Sequence, residues 1–307
     1  MRVRSTFSRS LVCLLTTYAL FASLSTGALE FEPPFGIKAD CERVQALLPS
    51  VPTEIPLSQT KKSYLTLNKF GFDVMDQVTT DESWIIQDLL SFCSESAGPT
   101  LDVGGGYGRL SLAMYLHGAK EIIYNDIEEE HLLMGIKHMS SSAASSIYLD
   151  SRSFPQEMTF PPHSLKAVVL HRVLHFLPGT LIMRGIEKIS QWLVDGGRVF
   201  IVVMAPQHSD FKDWFLPEYE KRWAAGEAWP GEGLNVSRAL PQQAYNLPDA
   251  LHVMDGRPLA KVLQKYNFII EKEGFISMAR YSSNRSGQEA YGIIAKYQPV
   301  KDEHRDL

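Results

Sequence analysis

Between residues 84 and 297 the apolar positions switch repeatedly between a helical and a strand period. Trp84, Ile85, Ile86, Leu89, Leu90 and Phe92 recur at helical spacing and stop before Gly98-Pro99. Residues 100–103 then form a short apolar run, and Leu110, Ala113, Met114 and Leu116 mark the inner face of a helix over 109–117. The alternation continues with a strand at 121–125, a helix at 128–139 and strands at 146–149 and 166–170. A helix at 180–193 and a strand at 199–203 complete it. The run Val199-Phe200-Ile201-Val202-Val203 is apolar at every position, as in a strand covered on both faces. Strands and helices in strict alternation predict a doubly wound, mostly parallel α/β sheet. A helix at 258–266 and strands at 268–276 and 290–297 predict a C-terminal β-hairpin on its edge.

Two stretches escape this pattern. Residues 29–97 open with a proline-rich, weakly periodic arm (Pro33-Pro34, Pro49, Pro52, Pro56) and end in the helix from Trp84. Residues 206–256 have no clear period but are aromatic, with Phe211, Trp214, Phe215, Tyr219, Trp223, Trp229 and Tyr245; they read as a lid inserted into a domain spanning 98–298. Residues 299–307 are a polar tail.

The first 28 residues have the build of a targeting segment. Arg2, Arg4 and Arg9 precede an apolar stretch over 11–24, and Ser25-Thr26-Gly27-Ala28 offers small residues for cleavage. The expectation is export, secreted or periplasmic, with a mitochondrial presequence as the alternative. The apolar stretch is too short for a stable membrane span. The net charge is −5 with three positive charges in that segment, so the body is acidic and a nucleic-acid partner is not expected. Of the cysteines that remain, Cys41 and Cys93 are compatible either with a disulfide or with two free thiols.

The chemistry concentrates where the first strand ends. Asp102-Val103-Gly104-Gly105-Gly106-Tyr107-Gly108 is a glycine turn between a strand and a helix, where backbone can approach a ligand closely. Asp126 ends the second strand, 22 residues after Gly104, the place from which a carboxylate accepts both hydroxyls of a ribose. Asp150 ends the third strand, within reach of an adenine amino group. The dinucleotide fingerprint G-x-G-x-x-G fails, because Arg109 stands where its third glycine belongs. His171 and His175 are four apart, but Arg172 replaces the glutamate of the zinc-protease motif, and no metal is expected.

The pattern D-x-G-x-G-x-G from Asp102 resembles that of class I S-adenosylmethionine-dependent methyltransferases. So do, in order, Asp126, Tyr148-Leu149-Asp150 before Phe154-Pro155, the segment His171 to Leu177, and Val194-Asp195-Gly196-Gly197-Arg198 before the fifth strand. The resemblance covers roughly residues 80–297 and implies a seven-stranded Rossmann-like sheet with S-adenosylmethionine as cofactor. It implies that Asp102, Gly104, Gly105 and Gly106 line the methionine half and that Asp126 binds the ribose. Asp150 and Ser151 would meet the adenine, and His171 would face the sulfonium and the acceptor, where it is the candidate general base. The function implied is transfer of the sulfonium methyl by in-line displacement to a small-molecule or peptide acceptor of small or medium size. The alternative is a catalytically silent S-adenosylmethionine-binding or interaction protein. Its motive is the targeting segment, since the cofactor is made in the cytosol.

Overall fold

In the computed structural model the structure describes residues 29–59, 63–73, 83–277 and 286–299. The targeting segment at 1–28 and nearly all of the tail lie outside them. The described strands are β1 (Ile37–Lys38), β2 (Tyr64–Leu65), β3 (Phe72–Asp73), β4 (Thr100–Asp102), β5 (Ile122–Asn125), β6 (Ile147–Asp150), β7 (Leu165–His171), β8 (Leu193–Met204), β9 (Leu234–Asn235), β10 (Ala250–Leu251), β11 (Phe268–Ile276) and β12 (Ala290–Tyr297). Eight of them form one sheet in the order β1-β6-β5-β4-β7-β8-β12-β11. The five from β6 to β8 in that order are parallel, and β12 and β11 add the antiparallel hairpin expected from the sequence.

The sheet therefore has one strand more than the seven expected. The extra one is β1, from the proline-rich arm, which pairs antiparallel to β6 through Ile37 with Leu149 and Lys38 with Tyr148. Gly36 permits this: at φ 115°, a Cβ there would lie 2.3 Å from the Leu149 carbonyl oxygen. The arm thus covers an edge that would otherwise expose unpaired backbone.

Alternating side chains of each central strand feed opposite cores, which explains the uninterrupted apolar run of β8. Phe200 and Val202 join Ala167, Val169, Ile122 and Tyr124 on one face, under the helices Trp84–Glu95, Arg109–Leu116 and Glu129–Lys137. Val199, Ile201 and Val203 join Val168, Leu170, Leu101 and Ile123 on the other, under the helices Gly179–Trp192 and Gly256–Lys265. The insertion at 206–256 contains a helix, Lys212–Ala224, and a small core of its own around Phe211, Phe215, Tyr219 and Leu251. Cys41 and Cys93 are separate free thiols. Burial and the nearby Asp102 carboxylate push the Cys93 thiol up to about 12.

Strand order reverses beside β4, whose neighbours β5 and β7 lead in opposite directions along the chain. A crevice at the carboxyl ends of the strands belongs at such a point.

Candidate active site

A cavity of about 320 Å³ opens there. Its floor is the glycine turn, with Asp102 to Gly106, Arg109 and Leu110 along one side. Asn125 ends β5 with Asp126 and Ile127 after it, and His171 ends β7 with Arg172 and Val173 after it. Thr66, Asn68, Phe70, Phe72 and Asp73 form a wall that comes from the arm.

The turn's backbone N–H groups are already engaged. Those of Gly104 and Gly105 donate to Asn125, at Oδ1 (3.2 Å) and the carbonyl (2.7 Å). That of Gly106 donates to Asp126 Oδ2 at 3.0 Å, and that of Tyr107 to Asp73 Oδ2 at 2.8 Å. Gly108 N–H closes on the Gly105 carbonyl at 2.9 Å. In a pyrophosphate site such groups point at the ligand instead. Here three carboxylates, Asp73, Asp102 and Asp126, surround the turn. Burial pushes Asp102 up to about 7 against the Ser111 hydrogen bond, with Asp73 and Asp126 adding to the rise, and burial raises Asp73 against the Tyr107 N–H. With the turn's N–H groups taken, the donors that hold a phosphate are missing, and a ligand carrying positive charge would favour the ionised form of these acids.

Asp126 is the best-connected of the three. Its Oδ1 accepts from Glu128 N–H at 3.0 Å and lies 3.1 Å from His131 Nδ1. The other ring nitrogen, His131 Nε2, accepts the Leu67 N–H at 2.8 Å. That bond places the imidazole proton on Nδ1, so the ring donates to Asp126. Asp126 thus combines the two roles open to it in the sequence, holding the start of the Glu129–Lys137 helix while lining the cavity.

Asp102 is buried beneath the turn and accepts from Ser111 Oγ at 2.7 Å. His171 is the last residue of β7 and lines the cavity. Burial, with the charge of Arg172 and then His175, lowers it to about 3, so its imidazole is neutral at physiological pH. Asp150 and Ser151 are placed differently from the sequence expectation, since neither lines the cavity. Arg152, two residues on, grips both oxygens of the Asp150 carboxylate at 2.9 and 2.8 Å, and Ser151 Oγ donates to Glu129 at 3.3 Å. Ser153, Phe154 and Gln156 line that end instead. Among the described residues no group of three His, Cys, Asp or Glu could hold a metal ion.

Residues 101–201 match the family model described as a methyltransferase domain. The chain thus contains a segment similar to a methyltransferase domain, running from β4 into β8. Its fold is shared with three solved structures of such enzymes. One, a putative S-adenosylmethionine-dependent methyltransferase from Listeria monocytogenes, is 15% identical; the match covers 69% of this chain and 100% of that one with a TM-score of 0.51. A second, from Mesorhizobium loti, is 17% identical over 70% and 99% with a TM-score of 0.50. A third, from Methanosarcina mazei, is 18% identical over 72% and 100% with a TM-score of 0.52. No curated protein matches the chain.

The residues around the glycine turn fit S-adenosylmethionine, the cofactor named for these three structures. Gly105 presses against a pillar, the buried Tyr124 ring, where a Cβ would come within 2.9 Å of Tyr124 Cδ2. The Tyr124 hydroxyl donates to the Gly106 carbonyl above it. The turn is therefore held low, leaving space above it bordered by Asp126. Asn125, Tyr124, His131 and Asp73 escaped sequence reasoning. Asn125 adjoins Asp126 and His131 lies five residues beyond it, whereas Asp73 comes from a segment with no readable period.

His175 lies just below the site in the turn Leu174–Phe176, buried, with Nδ1 lacking a hydrogen-bond partner among the described residues. Burial, then Arg172 and His252, lower it to about 3. Its unfolded counterpart takes up a proton near pH 6.5 while the folded ring stays neutral, so this group destabilises the fold increasingly as pH falls from 6.5 towards 3. A His175→Leu variant is expected to escape that loss. Its stability relative to wild type improves by up to about 1.4 kcal/mol per pH unit below 6.5, measured by urea unfolding across that window. A stability difference independent of pH would contradict the assignment.

Proposed function

We propose that the protein transfers the methyl group of S-adenosylmethionine to a small or medium-sized acceptor that enters over the aromatic wall of the cavity. The observation that carries this reading is the glycine turn whose N–H groups are internally engaged and which Asp73, Asp102 and Asp126 border. When bound, S-adenosylmethionine supplies a methyl carbon made electrophilic by its positively charged sulfur. The methyl–sulfur bond breaks as the bond to the acceptor forms, so the chain's task is alignment and exclusion of water.

Phe70 and Phe72 of the arm and Phe176 after β7 supply the water-excluding wall. Phe70 packs edge-on to Phe176 at 5.3 Å, and Phe72 packs edge-on to Tyr245 of the insertion at 5.8 Å. The insertion thereby braces the wall, although none of its residues lines the cavity. His171, neutral and weakly basic, is suited to orienting the acceptor by a hydrogen bond. An acceptor whose nucleophile needs no strong base, such as a neutral amine, a thiolate or an acidic phenol, matches that property.

The full chain, incubated with S-adenosylmethionine carrying a labelled methyl and a panel of aromatic and aliphatic acceptors and peptides, is expected to move label to at least one acceptor. An equal amount of S-adenosylhomocysteine appears with it. Tight binding of the donor with no transfer to any acceptor would overturn this reading in favour of a silent binding protein.

A further inference from the structure

We propose that Asp73, carried by the arm, receives the α-ammonium group of the donor, so that residues 63–73 are part of the donor site as well as its cover. The inference rests on S-adenosylmethionine being the ligand of the cavity.

Asp73 sits directly over the turn. Its Oδ2 lies where a Cβ on Gly106 would be 2.6 Å away, and it accepts the Tyr107 N–H at 2.8 Å. The other two acids are differently placed. Asp126 accepts from Glu128 and His131 at Oδ1 and from Gly106 at Oδ2, which keeps a lone pair for the ribose, and Asp102 lies beneath the turn against Ser111. Among the described residues Asp73 accepts a hydrogen bond at Oδ2 and has no ion pair, although the Arg109 guanidinium attracts it from across the cavity lining. Burial is the largest effect on it and raises its pKa, with the Tyr107 N–H opposing. A half-buried carboxylate of this kind is stabilised by a cation that brings its own N–H donors, and a primary ammonium brings three.

Its position is fixed from several directions. Tyr107 Oη donates to the Leu65 carbonyl at 2.6 Å, and Leu67 N–H reaches His131 at 2.8 Å. Gly71 N–H donates to the Asn246 carbonyl of the insertion at 2.9 Å. The arm is thereby latched to the same turn, and through His131 to the same acid, that the donor would use. Its carboxylate lines the cavity beside Gly106, where the amino-acid half of the donor belongs if the ribose lies at Asp126.

Two ligands separate this role from simple support of the fold. S-Adenosylhomocysteine carries the amino-acid half, whereas 5′-methylthioadenosine keeps the adenosine and the thioether and lacks it. In calorimetric titrations of the full chain, Asp73→Asn is expected to weaken S-adenosylhomocysteine by roughly tenfold to a hundredfold. Its affinity for 5′-methylthioadenosine should stay within about twofold of wild type, a change too small to signal a lost hydrogen bond. Equal losses for both ligands, or no loss for either, would overturn the proposal. A measurement on the unmutated protein guards against a variant that fails to fold. There, 5′-(3-carboxypropylthio)adenosine, which keeps the carboxylate and lacks the amine, is expected to bind more weakly than S-adenosylhomocysteine by a similar factor. Equal affinity would count against Asp73, whereas wild-type protein that binds no S-adenosylhomocysteine would instead remove the reading on which the proposal rests.

Discussion

Replacing Asp126 by Ala is expected to weaken S-adenosylhomocysteine binding by roughly a hundredfold, one of the two largest single effects at this site. Two losses combine. A carboxylate that would accept from ribose hydroxyls is removed, and a hydrogen bond to a charged group contributes about 1.5–3 kcal/mol. The same side chain also holds the Gly106 N–H, the Glu128 N–H and His131, all of which lose their acceptor. Buried donors left unpaired cost about 1–3 kcal/mol each where water cannot reach them, so some destabilisation should accompany the binding defect. Asp126→Asn keeps one carbonyl oxygen for this network and should fall between wild type and Asp126→Ala in both respects. Calorimetry for affinity and urea unfolding for stability separate the two contributions. An Ala variant with wild-type affinity would remove Asp126 from the donor site.

Gly106→Ala is expected to abolish donor binding altogether while costing only about 1–2 kcal/mol of stability. Gly106 has φ 53°, in the left-handed region that penalises a side chain. Its Cβ would stand 2.6 Å from Asp73 Oδ2 and 3.3 Å from Asp73 Cγ, so the arm carboxylate must move. The new methyl would also occupy the floor of the cavity. Gly196→Ala is the matched control. Gly196 has φ 76°, but a Cβ there meets nothing within 4 Å. It should show a comparable loss of stability in urea unfolding and bind S-adenosylhomocysteine as wild type does. If both variants bind equally well, the turn is not the floor of the donor site.

The elements that build the sheet were legible because each obeys one period. The expected strand at 199–203 lies inside the longer β8, and the expected helix at 180–193 is Gly179–Trp192. Strand β1 was not legible, because two paired residues in a proline-rich arm carry no period, and only Gly36 hints at a close backbone approach. The helix Lys212–Ala224 was hidden for another reason. Its apolar residues serve a local core, and Pro217 interrupts the sequence pattern within it.

At the site, Asp102, Gly104, Gly105, Gly106, Asp126 and His171 converge on one cavity because they end or follow adjacent strands, which is a matter of topology. Asp150 stands at the equivalent place after β6, but its carboxylate is captured by Arg152, a local competition that spacing does not report. The free N–H groups that a glycine turn ahead of a helix suggests prove to be engaged by Asn125, Asp126 and Asp73. Those partners are remote or adjacent residues whose side-chain directions only the folded chain defines. The acidity of the ring around the turn was likewise invisible, since one of its members arrives from the arm.

The central claim is that this turn holds a positively charged nucleoside and rejects a pyrophosphate. Parallel calorimetric titration of the full chain with S-adenosylmethionine and with NAD tests it most directly. One-to-one binding of S-adenosylmethionine with no heat from NAD is the predicted result. Binding of NAD, or folded protein that gives no heat with millimolar S-adenosylmethionine, would contradict it.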